Sequence, residues 1–188
     1  PKHPSLNPIK FLYAGHLGNA HETERIRQLM SHKFSHPLEF SFSVRKDSTH
    51  ILGDPLPPSV NSVKILEFAP ESELIERLTA YDIHLVTLKE SWSGIVVPSK
   101  FFAAIAVGRP VLFIGPESSA IAKWISQYQL GWTWSDDNRD IRLIIESIIE
   151  TLSDCSQKNK LNRRCYDAYQ SYFSRDLMTK KIIELIEQ

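Results

Sequence analysis

Short apolar runs alternating with amphipathic segments predict an α/β fold, a doubly wound parallel sheet of about six strands with helices on both faces. Three observations carry this. Runs such as Val111-Leu112-Phe113-Ile114 are apolar throughout, the pattern of strands covered on both faces. Between successive runs lies a segment with helical spacing, which supplies the crossover that a parallel pair needs. A length of 188 residues suits one domain with its own core.

The elements follow in order. Residues 1–8, with three prolines and no periodicity, read as a linker ahead of a single domain over 9–188. Ile9–Ala14 is the first predicted strand and stops at Gly15. Gly15-His16-Leu17-Gly18-Asn19 is a glycine turn, with Asn19 the expected helix cap and Glu22 its capping-box partner. Ile26, Leu29 and Met30 give that helix its apolar face. Leu38–Val44 is the second strand, followed by an irregular, proline-bearing connection over 45–62. Val63–Phe68 is the third. Pro70 suits the first position of a helix, with Glu71 and Glu73 in its electropositive first turn and Leu74, Ile75 and Leu78 spaced for a buried face.

Ile83–Leu88 is the fourth strand and Lys89–Val97 a loop. Pro98 opens a helix through Phe101, Phe102, Ile105 and Ala106, stopped by Gly108 with Pro110 beyond. Val111–Ile114 is the fifth strand, and Ser118 or Ser119 caps a helix ending near Tyr128. Gly131–Trp134 is a short sixth strand. Asp136-Asp137 is expected to cap a helix whose stripe is Ile141, Ile144, Ile145, Ile148, Ile149 and Leu152. A further helix covers 156–172, and the last starts at Ser174, with Phe173 and Met178 as a hydrophobic staple and Met178, Ile182, Leu185 and Ile186 on one stripe.

Composition excludes several classes. Lys+Arg and Asp+Glu are both 22, so no bulk charge favours nucleic acid or an anionic membrane. Cys155 and Cys165 are too few for a disulfide framework or a four-cysteine zinc site, and read as inert thiols in a cytoplasmic protein. The apolar runs fall short of the ~20 residues that span a bilayer. The polar opening carries no secretory leader pattern, and the missing initial Met suggests an excised piece of a longer chain. The acidic pair Asp136-Asp137 reads as a cap, and no metal is expected.

In such sheets ligands bind at the carboxyl ends of the strands. Those ends carry Gly15–His21, Val44–Asp47, Phe68–Pro70, Lys89–Lys100 and Gly115–Ser119. Gly15-x-x-Gly18 lets backbone approach an anion at a helix start, with His16 and His21 as hydrogen-bond donors that add charge if their pKa rises. By itself the motif reads as an ordinary strand-to-helix turn with exposed histidines; it is neither the dinucleotide fingerprint nor a P-loop. Gly94-Ile95-Val96-Val97-Pro98-Ser99-Lys100 adds a second helix start, with Ser99 and Lys100 suited to the same anion. Gly115–Ser119 is explained by serine capping. Among the tryptophans, packing residues by default, Trp92 stands out because it lies in a site loop.

Tyr13–His21, Tyr81–Leu88, Gly94–Phe101, Ala106–Val111 and Gly115-Pro116 together resemble the second domain of group 1 glycosyltransferases of GT-B fold. The central stretch resembles bacterial enzymes that build surface polysaccharide, and the resemblance covers about residues 9–135 and, more loosely, the terminal helices. It implies a Rossmann-like domain that binds a nucleotide diphosphate sugar and no separate cofactor or metal. Gly15, His16, Gly18, Asn19, His21, Gly94, Ser99 and Lys100 would surround the diphosphate, and Phe68, Ala69 and Pro70 the nucleobase. His16 and His21 stand near positions where the family carries arginine and lysine, and Ala103 where it carries a ribose-binding glutamate. Ser43-Val44-Arg45-Lys46 replaces a glycine-rich turn, which offers Arg45 or Lys46 as phosphate cations.

The same resemblance implies a partner, an N-terminal acceptor-binding domain or subunit supplying the catalytic groups. The protein would then act in the cytoplasm, with at most peripheral membrane contact through that partner and no nucleic acid bound. Two rivals remain at the sequence level: the donor subunit of a split two-chain transferase, and a non-catalytic interaction module on a degenerate Rossmann-like scaffold.

Overall fold

The computed structural model describes residues 7–45, 61–135 and 140–186. Six strands form one sheet: β1 (Ile9–Ala14), β2 (Leu38–Ser43), β3 (Ser62–Leu66), β4 (Ile83–Thr87), β5 (Val111–Ile114) and β6 (Gly131–Trp134). Their order is β3-β2-β1-β4-β5-β6, and every pairing is parallel. This is the predicted doubly wound, Rossmann-like sheet. Its direction of winding reverses between β1 and β4, the switch point where a crevice opens at the strand ends.

The interior strands are apolar because both faces are covered. Phe11 and Tyr13 on β1, Phe40 and Phe42 on β2 and Phe113 on β5 are fully buried. β3 lies at the edge and reads differently, with Ser62, Lys64 and Ile65 exposed. Lys64 pairs with Glu39 at 2.7 Å, a charge that blunts an open sheet edge.

Helix α1 (Thr23–Ser31) starts four residues beyond Asn19, so Asn19 is not its cap; Glu22 holds that position without a side-chain bond. The intervening residues form a turn, with His21 N–H donating to the Gly18 carbonyl at 3.0 Å, and the Ala20 carbonyl accepts from Lys89 N–H at 2.8 Å. The helix is delayed because this turn ties the first loop to the loop after β4.

Pro70 precedes a 3-10 turn, Glu71–Glu73, that leads into α2 (Leu74–Thr79). The predicted buried face is only partly so: Leu78 is buried, but Leu74 is 41% exposed and Ile75 71%. Leu74 borders the crevice instead of the core.

Helix α3 (Lys100–Ala106) follows the β4 loop, and α4 (Ala120–Tyr128) is capped by Ser119, which accepts from Ala122 N–H. The cap of α5 (Ile141–Ser153) is Asp140, bonded to Arg142 N–H, and not the Asp136-Asp137 pair, which lies outside the described residues. Asp154 caps α6 (Cys155–Ala168), which runs into a π-helical turn at Tyr169–Phe173 before α7 (Arg175–Ile186).

That turn swings Phe173 into an aromatic cluster with Phe101, Phe102, Trp124 and Tyr128, at centroid distances of 5.1–5.8 Å. Met178, the expected staple partner of Phe173, is 44% exposed, and Ile183 and Ile186 on the same helix are exposed too. Aromatic pairs of this kind contribute about 0.5–1.5 kcal/mol each beyond their burial. Here they clamp Phe101, and with it the start of α3 beside the crevice. Cys165 is buried and its Sγ donates to the Leu130 carbonyl, while Cys155 is exposed. No described helix is long and apolar enough to cross a membrane.

Candidate functional site

A cavity of about 560 Å3 opens at the switch point. Its floor is Ala14 from β1 and Gly15 just beyond it, Ser43 from β2, and His84 and Leu85 from β4. Ser99, Lys100 and Ala103 line it from α3, and Phe68, Ala69, Glu71, Leu74, Arg77 and Leu78 from the β3–α2 segment. Two hollows of similar size lie elsewhere, one along α6 near Tyr128 and Tyr172, the other around Asn7, His36 and Asp82. Neither lies where the strands' carboxyl ends converge.

The glycine loop is held from below. Gly15 N–H donates to the Ser43 carbonyl at 2.9 Å, which continues the β1–β2 ladder by one residue. Tyr13 Oη donates to the His16 carbonyl at 2.9 Å, and Lys100 Nζ reaches the same carbonyl at 3.3 Å. Lys100 Nζ also sits 5.1 Å from the centre of the Tyr13 ring, a cation–π contact. Gly15 has φ +122°, and a Cβ there would stand 2.8 Å from Lys100 Cε. The glycine is what lets the lysine lie across the loop. Partial burial lowers the Lys100 pKa from its ordinary value, since a half-desolvated ammonium lacks an anion. No carboxylate pairs with it among the described residues.

At the start of α3, Phe101 N–H is taken by the Pro98 carbonyl, and Phe102 and Ala103 N–H by the Ser99 carbonyl. The Ser99 side chain makes no cap bond and lines the crevice. Gly15, His16, Ser99 and Lys100 are thus brought together, with Phe68 and Ala69 lining the same cavity.

The remaining predicted residues are not in the lining. Gly18 stacks under the His16 ring, its would-be Cβ 3.1 Å from Nε2. Asn19 is exposed on the turn, Arg45 is exposed beyond β2, and Lys46 lies outside the described residues. Pro70 is exposed where the 3-10 turn begins. Gly94 (φ +81°) has open space where a side chain would go. Trp92 packs partly buried against the core instead of facing the crevice.

His21 departs from its expected role as a cation. It is half-buried behind the loop, its Nδ1 3.3 Å from both the carbonyl and the hydroxyl oxygen of Thr87, and its ring meets Tyr13 edge-on. Burial first, and then the nearby Lys100 charge, push its pKa down to about 4. At neutral pH this ring is a neutral spacer.

The sequence reading missed Ser43, Glu71, Leu74, Arg77, Leu78 and His84 as lining residues. For Glu71, Leu74 and Arg77 a signal was present: they recur at every third residue, and an apolar residue between two charged ones on one helical face marks a surface that is neither core nor plain solvent. His84 is fully buried, its Nε2 2.9 Å from the Leu78 carbonyl, and burial pushes its pKa down to about 4. Among the described residues no group of His, Cys, Asp and Glu is placed to hold a metal ion.

Solved structures place this architecture in a class. The chain superposes on the catalytic domain of cholesterol-α-glucosyltransferase from Helicobacter pylori with a TM-score of 0.64, at 14% identity, over 88% of this chain and 99% of that one. It superposes on TarM with a TM-score of 0.65 at 12% identity, covering 100% of this chain and 36% of TarM. It also superposes on WaaG, a glycosyltransferase involved in lipopolysaccharide biosynthesis, with a TM-score of 0.57 at 16% identity, over 88% of this chain and 44% of that one. The domain therefore has the fold of one half of a GT-B glycosyltransferase.

In sequence, 55 residues are 36% identical to a probable glycosyltransferase, WbjE, of Pseudomonas aeruginosa, which is 29% of this chain and 14% of that protein. The chain thus spans less than half the length of WaaG and about a third of TarM, and its match to WbjE is shorter still. No family model matches the chain.

Proposed function

We propose that this chain is the donor-binding half of a glycosyltransferase, which holds a nucleoside diphosphate sugar while the sugar passes to an acceptor hydroxyl. The observation that carries the reading is Lys100: an ammonium without a carboxylate partner, partly desolvated, laid over a glycine loop at the switch point of a GT-B-like sheet. A diphosphate is the chemistry that such a group lacks.

In this reading the diphosphate lies over Gly15 and beside Ser99, within reach of the loop's N–H groups. As the bond from the sugar to the diphosphate breaks, negative charge grows on the departing oxygen. A preplaced ammonium stabilises that charge more than it stabilises the intact donor, which is the condition for accelerating the step. The acceptor, and the groups that deprotonate it, would come from a second domain or subunit facing the crevice. A role in surface polysaccharide assembly, in the cytoplasm, fits the resemblance to bacterial enzymes of that kind.

Thermal unfolding with nucleoside diphosphates tests the reading directly. A ligand present at 100 times its Kd should stabilise the fold by about 2.7 kcal/mol. If no diphosphate at millimolar concentration shifts the Tm or any resonance of Gly15–Gly18, the donor-site reading is wrong.

A further inference from the structure

Opposite Lys100, the crevice presents a second pattern. Glu71, Leu74 and Arg77 recur every third residue across the 3-10 turn and α2, and all three line the cavity. Glu71 is the one carboxylate among the described lining residues, and its side chain makes no hydrogen bond or ion pair with any described residue. Arg77 uses one guanidinium nitrogen, Nη1, on the Glu67 carbonyl at 3.2 Å and has further N–H donors. Between and beside them stand two large apolar side chains left open, Leu74 and Phe68, the latter 45% exposed.

These groups lie at one end of the crevice. Phe68 follows β3, two strands away from β1, and strand spacing puts that end about 10 Å from the glycine loop. A nucleotide whose diphosphate lies over Gly15 would carry its base toward this end. Glu71 and Arg77 are themselves about 10 Å apart along the helical axis, so both side chains can converge on the edges of one flat ring lying against Phe68 and Leu74.

We infer that this wall selects guanine, so that the donor is a guanosine diphosphate sugar. The inference rests on the diphosphate reading above. A carboxylate is acceptor-only and offers two oxygens side by side. Guanine presents two adjacent donors, N1–H and the N2 amino group, which pair with both oxygens at once. Its O6 and N7 are acceptors suited to a guanidinium. Uracil offers one N–H between two carbonyls. Adenine and cytosine each place a ring-nitrogen acceptor beside their amino group. Any of these three sets an acceptor lone pair against a Glu71 oxygen, and an unpaired contact of that kind is what a hydrogen-bonding site rejects most strongly.

The test is calorimetric titration of the 188-residue protein with GDP, IDP, UDP and ADP, repeated on Glu71→Gln. IDP lacks only the N2 amino group, so it isolates the contact. We expect GDP to bind about tenfold or more tightly than each of the others, and Glu71→Gln to lose the preference for GDP over IDP while still binding both. Glu71 is exposed, so the variant should fold, and circular dichroism checks this. Equal affinities, tighter UDP binding, or a preference for GDP that survives in the variant overturns the guanine assignment and leaves diphosphate binding standing. If no diphosphate binds, both readings fall.

Discussion

Lys100 lies so close over Gly15 that a β-carbon on the glycine would come within 2.8 Å of its Cε. The two residues are 85 positions apart, one in the loop after β1 and the other at the start of α3, yet each fixes the other. The backbone of Gly15 adopts φ +122°, which side-chain-bearing residues rarely take. Gly15→Ala should therefore cost about 1–3 kcal/mol in backbone strain alone, and displace the lysine as well. Urea unfolding checks the first effect and diphosphate titration the second. A variant with unchanged stability and unchanged affinity would show that the loop and the lysine do not act together.

Lys100→Met separates binding from folding. The methionine keeps most of the side chain's packing on Tyr13 and loses the charge. The ammonium is partly desolvated and paired only with a carbonyl and a ring, so its removal should leave stability equal or higher. Hydrogen bonds to charged groups contribute about 1.5–3 kcal/mol, so diphosphate affinity should fall about 10- to 100-fold. A variant that binds diphosphate as well as the parent would move the phosphate site away from α3.

Gly131 makes the sharpest structural prediction. It opens β6 with φ +144°, and a Cβ there would lie 2.0 Å from the Val111 carbonyl oxygen and 2.7 Å from its nitrogen. Both atoms are backbone of the paired strand and cannot rotate aside. Gly131→Ala should destabilise the domain by about 4 kcal/mol or more, read as a large fall in Tm. Gly94→Ala is the useful contrast, because Gly94 has positive φ with open space around it and should cost far less.

How much of this was legible in the sequence depends on the physics each feature obeys. The strands were, because burial on both faces leaves a run such as Val111–Ile114 apolar throughout, and the same runs set the parallel topology. The glycine loop and Lys100 were legible as residues lying at strand carboxyl ends. The start of α1 was not: Asn19 and Glu22 have capping-box spacing, but the hydrogen bond from Lys89 N–H to the Ala20 carbonyl, formed 69 residues apart, holds that stretch as a turn. Nor was the exposure of Leu74. Helical spacing says which residues share a face, but not whether that face meets core or crevice. The low pKa of His21 was equally hidden, since it arises from burial of the ring, which packs edge-on against Tyr13, and from the nearby Lys100 charge.

The last prediction concerns pH and follows from His21 and His84. Burial is the first cause of both low values, opposed in part by the contact each ring makes with a backbone carbonyl, of Thr87 and Leu78 respectively. Nearby cations add to the effect: Lys100, His16 and Lys89 for His21, and Arg109 for His84. In the unfolded chain both rings titrate near 6.5, whereas in the fold they stay neutral down to about 4. Between those values the unfolded state binds more protons, so stability falls as pH falls. The contribution should be complete above about 6.5, decline through pH 5, and level off below about 4. For the fully buried His84 the displacement from 6.5 to about 4 corresponds to roughly 3 kcal/mol; the half-exposed His21 adds less because water screens it. Urea unfolding at pH 7.5, 6, 5 and 4 should trace this decline. His84→Gln, which keeps a donor for the Leu78 carbonyl, should flatten it. Diphosphate affinity between pH 6 and 8 should be the same in His21→Gln as in the parent, because the ring carries no charge over that range. A binding curve that steepens toward pH 6 in the parent and flattens in His21→Gln would show that the ligand draws a proton onto His21, and would return that residue to the phosphate site.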